Sequence, residues 1–174
     1  MPSKTYVTTN ERKTGAGLNL EFTIDGDASD PIPLDATIDG IELSLRLATS
    51  TGGPGPTAAQ ILCNVQDDHN GGSFSTVNRT TTTGPLVNYP SSQTELFGGS
   101  TDLFGLTSWT AASFNSNSTA ATFTVRLTHN GSSGVFYTMG AQQVQIHYTE
   151  ALVPEPFTLM SGKLELTSGK LELI

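Results

Sequence analysis

Charge is scarce in this chain: Asp, Glu, Lys and Arg make up 14% of its 174 residues, against about a quarter in a typical soluble domain. Only 8 residues are Lys or Arg against 16 Asp or Glu, giving a formal net charge of −8. Neutralising phosphates takes basic side chains gathered on one face, and no such cluster exists, so nucleic acid is not an expected partner. The single cysteine, Cys63, rules out an intrachain disulfide framework, and its expected role is that of a small buried apolar side chain. No run approaches the roughly 18 apolar residues of a membrane span, and the opening MPSKTYVTTNERK lacks the apolar centre of a secretory signal. No membrane is expected.

What the chain has in abundance is Thr, Ser, Asn and Gly, together with apolar residues at every second position. Such alternation marks strands with one buried face. It occurs in GLNLEFTI at 17–24 and GIELSLRL at 40–47, then at 61–65 with Ile61, Cys63 and Val65. It returns at 121–128 with Phe123, Val125 and Leu127, and at 143–148 with Val144, Ile146 and Tyr148. Shorter strands are expected at 6–8, 74–77, 86–89 and 135–138. TGGPGPT, DDHNGG and HNGSSG punctuate the pattern as turns. The expected fold is all-β, an antiparallel two-sheet sandwich of jelly-roll-like type. Residues 90–118 read as a long crossing loop in which SWTAASFN, at 108–115, supplies at most a turn or two of helix.

The alternation ends near Glu150, and VPEP at 153–156 cannot continue a central ladder. The expected division is a sandwich over 1–150 and, over 151–174, a proline-marked linker with a C-terminal β arm or hairpin. That arm carries SGKLEL twice, at 161–166 and 168–173, a spacing of seven. Seven is odd, so in one unbroken strand Leu164 and Leu166 would face away from Leu171 and Leu173. Two geometries remain. A hairpin turning at Ser168-Gly169 pairs Leu166 with Leu171 and Leu164 with Leu173, at the small cost of facing Glu165 with Glu172. Alternatively, each phrase forms its own short strand on a separate edge or groove. In both cases Phe157, Leu164, Leu166, Leu171 and Leu173 are the candidate partner-docking residues, against a frayed tail as the plain reading of a terminus.

Residues able to carry chemistry are present but poorly arranged for it. Asp25, Asp27 and Asp30 offer the oxygen ligands that hard cations favour, yet they lack the closing glutamate of a calcium loop and also suit a solvated turn. Asp67, Asp68 and His69 form a similar cluster. His69, His129 and His147 share no metal-ligand spacing, no nucleophile elbow appears, and GGPG at 52–55 lacks the lysine and helix of a phosphate loop. No catalytic residue, metal or cofactor is expected, and the chain reads as a non-enzyme. Exposed aromatics stack on sugar rings, which makes Trp109 and Tyr89 glycan-binding candidates. The competing role for Trp109, within LTSWTAASF, is to cap the core.

Three stretches carry a resemblance. IPLDATIDGIELSLR at 32–46, FGGSTDLFGLTSWTAASFNSNSTAATFTVRL at 97–127 and GAQQVQIHYTE at 140–150 together resemble a β-sandwich module of tailed-bacteriophage virion proteins. Ile32-Pro33, Ala36-Thr37-Ile38 and Gly40-Ile41-Glu42 match its first element; Phe104-Gly105, Trp109-Thr110 and Asn115 its second; Val144, Ile146, His147 and Tyr148 its third. Phe104 stands where the module usually has a tryptophan. The resemblance implies a virion structural protein, first a head decoration or cement protein forming a homotrimer on the outer capsid surface. Its implied partners are its own subunits and the major capsid protein or other virion proteins. A tail, neck or fibre component, or a receptor- or glycan-binding adhesin, are the alternatives.

Overall fold

The computed structural model describes residues 1–7, 13–15, 19–25, 30–49, 61–69, 71–80, 86–107, 109–115, 122–129, 136–151, 164–167 and 170–173. Of these, 13–15, 19–25, 122–123, 129, 136, 164–167 and 170–173 are described by their backbone alone. Two antiparallel sheets face each other. The first is built around β4 (Thr37–Thr49), whose 13 residues make it about 40 Å long at the usual strand rise. One edge of β4 pairs with β7 (Gln93–Gly99), the other with β10 (Gln143–Thr149) and then β9 (Phe136–Thr138). β1 (Ser3–Val7) extends this sheet beyond β10, and β2 (Lys13–Gly15) beyond β9. The second sheet runs β3 (Asn19–Asp25), β8 (Thr122–His129), β5 (Ile61–Asp67), β6 (Arg79–Thr80).

The expected alternation is what fills the space between the sheets. Ile41, Leu43, Leu45 and Leu47 of β4, Val144 and Ile146 of β10 and Phe97 of β7 pack in one cluster with Ile61, Cys63 and Val65 of β5 and Val125 and Leu127 of β8. The Cys63 thiol is fully buried, and burial pushes its pKa far above the ordinary thiol value.

Two irregularities on β4 shape the sheet. Ile38 pairs with Tyr148 and Gly40 with His147, leaving Asp39 as an extra residue. This bulge resets the alternation, so Ile38 and Ile41, three apart, are both buried. Further along, β10 ends opposite Ser44 and β9 begins opposite Leu47, and residues 139–142 arch across the break. The buried Gln142 side chain fills it: its Oε1 accepts the Arg46 amide at 2.8 Å, and its Nε2 donates to the carbonyls of Met139 and Gly140. A side-chain amide thus completes the ladder that the backbone leaves open.

Three sequence expectations need correction. Residues 74–77 are not a strand; Phe74 instead lies under the Arg126 guanidinium, 3.4 Å from its ring centre. The segment 86–89 touches β4 through one parallel bridge, Asn88 with Thr49. The supposed crossing loop 90–118 contains β7, and its helix is the single turn α1 (Ala112–Asn115). β11 (Leu164–Thr167) and β12 (Lys170–Leu173) form a separate two-stranded antiparallel sheet.

Candidate functional site

The three stretches of the virion-module resemblance meet at one end of the sandwich. Asn115 closes α1 and reaches back to Ile32 with both ends of its amide: Oδ1 accepts the Ile32 N–H at 2.7 Å, and Nδ2 donates to the Ile32 carbonyl at 2.6 Å. The pair mimics a rung of β-ladder and ties the first stretch to the second. The third joins through β10, where Ile146 pairs with Ile41. Trp109 donates its indole N–H to the Leu103 carbonyl at 3.1 Å and stacks on Phe114 with ring centres 5.4 Å apart. Only 7% of Trp109 is exposed, so the core-capping reading describes its packing.

Residues 98–105 turn sharply between these parts. Phe104 is fully buried with φ at 53°, a left-handed conformation unusual for a side chain of its size. Asp102 holds it there: its Oδ1 accepts the Phe104 amide at 2.8 Å, while its main-chain carbonyl accepts the Ile41 amide at 2.9 Å. The Arg79 guanidinium grips both carboxylate oxygens, with Nη2 2.6 Å from Oδ1 and Nε on Oδ2, and lies 5.8 Å over the Phe104 ring. Burial alone would raise the Asp102 pKa, but the bonds from Arg79 and the Phe104 amide, with the guanidinium charge, hold it below the usual carboxylate value. The same hydrogen bond raises Arg79. Sequence reasoning missed Asp102 and Arg79; the available signal was an aspartate two residues ahead of a Phe-Gly pair, a spacing suited to side-chain capping of a turn.

Beside this junction lies a half-open groove of about 370 Å³ lined by Leu34, Ala36, Ile38, Leu103 and Trp109 together with Thr37, Thr107 and Thr110. Leu34 stands 80% exposed at the rim. The turn that presents it is closed by the Ala36 amide on the Pro33 carbonyl at 2.9 Å. A second aromatic feature lies near the far end of β4: Tyr89, whose amide bonds the Thr49 carbonyl, sits 5.8 Å from the Tyr137 ring. The two glycan candidates, Trp109 near Ile38 and Tyr89 at Thr49, are therefore about 35 Å apart along the strand, and do not form one sugar site.

Asp67 and Asp68 of the second carboxylate cluster serve the framework. Asp67 is buried and accepts the Ser113 hydroxyl at 3.1 Å, fixing α1 to β5; Asp68 accepts Thr124 at 2.7 Å; His69 is exposed. Asp30 pairs with Lys4 at 3.2 Å, and Asp27 lies outside the described residues. Among the described residues no group of three His, Cys, Asp or Glu is placed to hold a metal ion. Of the docking candidates, Phe157 lies outside the described residues. The backbone register sets Leu164 opposite Leu173 and Leu166 opposite Leu171, with Glu165 opposite Glu172. The chain thus adopts the first of the two geometries its parity allows.

No protein-family model matches the chain, and no curated protein matches it. Among solved structures, a chain of infectious bursal disease virus, Gt strain, aligns over 83% of this chain at 11% identity with a TM-score of 0.43. A chain from the T=1 particles derived from the same virus aligns over 83% at 12% identity with a TM-score of 0.45. This chain spans about a third of the length of those chains, 32% in both cases.

Proposed function

We propose that this chain is a non-enzymatic structural protein of a virus particle, and specifically a decoration protein that binds the outer head surface of a tailed phage as a symmetric oligomer, a trimer in the simplest form. The convergence of the three virion-module stretches carries the reading. Ile32, Ile41, Phe104, Trp109, Asn115 and Ile146, drawn from all three, are buried or bonded to one another in one framework. These residues act as structural keystones and leave apolar surface such as Leu34 outside for partners.

Bridging is the mechanism. A protein that spans neighbouring major capsid subunits contributes binding free energy only when the shell is assembled, and so raises the barrier to its loss. A specific interface of standard size buries about 1,600 Å² in total. A net charge of −8 keeps such a protein from competing for packaged DNA. The protein needs no cofactor for this role. Particles lacking it should release DNA at lower temperature while adsorbing to cells normally; unchanged heat release would contradict the decoration role. The half-buried Tyr89–Tyr137 pair favours a second reading, a glycan-binding adhesin or fibre element. In that case adsorption, not head stability, fails without the protein, and Tyr89→Ala reproduces the defect.

A further inference from the structure

The outer face of the first sheet carries an ordered row. Val7 of β1 pairs with Gln143 of β10, Gln143 with Ser44 of β4, and Ser44 with Leu96 of β7, so these four lie abreast across four strands. Their neighbours along the strands, such as Leu43, Val144 and Phe97, are buried between the sheets, and alternation turns the row itself outward. Val7 and Leu96, at its two ends, are each 57% exposed and stand about 14 Å apart at the usual strand spacing. On β4 the charges lie symmetrically about this row: Glu42 is two residues before Ser44 and Arg46 two residues after it, on the same face. The rest of their two rows is uncharged, with Thr5, Gln145 and Gly98 abreast of Glu42 and Thr94 abreast of Arg46. Over these three rows the face is neutral overall, although the chain carries a net charge of −8.

Such a face is complementary to itself. When two copies are set face to face with a twofold axis along the row, strand direction reverses while position across the row is kept. Leu96 then meets Leu96, Val7 meets Val7, and Glu42 of each copy faces Arg46 of the other. An axis along β4 would instead stack Glu42 on Glu42 and Arg46 on Arg46, and like charges juxtaposed across an interface are strongly penalised. The charges therefore select the first orientation. Arg46 is prepared for it: its side chain is exposed, and its Nη2 is steadied by the Ser92 hydroxyl at 3.0 Å, which lowers the entropy lost on pairing. We propose that this face is a docking surface for a second copy of the chain, related by the twofold axis along the Val7–Leu96 row. Sheets packed face to face keep their strands within about 30° of alignment, which the antiparallel stacking of β4 on β4 permits. A twofold contact is isologous and closed. It is additional to the symmetric assembly proposed above, and with a trimer it gives a hexamer of dihedral symmetry.

Charge exchange in the purified full-length protein tests the pairing. Glu42→Arg and Arg46→Glu each place like charges across the contact and should weaken this association by about tenfold or more in sedimentation equilibrium. An equimolar mixture of the two variants opposes unlike charges at both pairs and should associate as tightly as the wild type, as should a chain carrying both substitutions. Leu96→Asp, which sets two carboxylates against each other on the axis, should abolish the contact. All three side chains point outward, so the melting transition should persist in every variant. A wild type that shows no twofold association, single charge variants that associate as it does, or a mixture no tighter than its parts would each overturn the proposal. Pairing restored in the mixture, with too few copies on particles to follow the shell, would support the contact and refute the decoration role alone.

Discussion

Asp102 accepts bonds from the Arg79 guanidinium and the Phe104 amide while its own carbonyl holds Ile41 of β4. Its pKa lies below that of the unfolded chain, so the folded state binds this proton more weakly. The stability it adds is fully present above the unfolded value of about 3.9 and is lost as pH falls through the lower folded value. The difference in melting temperature between the wild type and Asp102→Asn should therefore be constant above about pH 5 and shrink in more acidic solution. A difference that stays constant to about pH 2 would show that the carboxylate is not responsible. Asn115 acts without charge. Asn115→Ala leaves both polar groups of Ile32 without their partner and should cost about 1–3 kcal/mol, measurable as a lower denaturant midpoint at unchanged m-value.

At the scale of elements, the long strands were legible because buried residues alternate through their middles, as in Leu43, Leu45 and Leu47. β7 was not, because its pattern reads in reverse: Glu95 is buried at 1% exposure, joined to Gln93, while Leu96 on the outer face is 57% exposed. An isolated sequence gives no sign that a glutamate will be paired inside. The arch at 139–142 was equally hidden, since the partner of the Arg46 amide is the side chain of Gln142. Parity alone narrowed the C-terminal phrase to two geometries, and the observed register selects the hairpin. Of the candidate site, the matched residues were legible, but the groove was not, because Leu34 and Leu103, far apart in sequence, come to line it together only in the fold. Gly98, one residue before the end of β7, has φ 80°, and a Cβ there would strike the Ile41 carbonyl and the Phe104 ring. Gly71, at φ 63°, has open space around its missing Cβ. Gly71→Ala should cost about 1 kcal/mol from its left-handed conformation alone, and Gly98→Ala distinctly more. Equal melting temperatures for the two variants would contradict the packing of β7 against β4.

At the scale of the whole molecule, the framework and the groove are the features on which the proposed associating role rests. The three stretches that carry the resemblance are tied together through Asn115 on Ile32 and Ile146 opposite Ile41, and the turn after Ile32 presents the exposed Leu34. The proposed shell-bridging role uses the sandwich as the rigid body that spans neighbouring capsid subunits. Its role on a particle is a matter of stoichiometry. A protein that repeats with the capsid lattice must be present on the order of hundreds of copies, whereas one at a single vertex or along a tail follows the low copy number of that symmetric position. Counting the copies per purified particle by quantitative mass spectrometry against the major capsid protein tests this most directly. The account predicts copies on the order of hundreds in fixed ratio to the shell; about a dozen or fewer would contradict it and place the chain at the tail or neck.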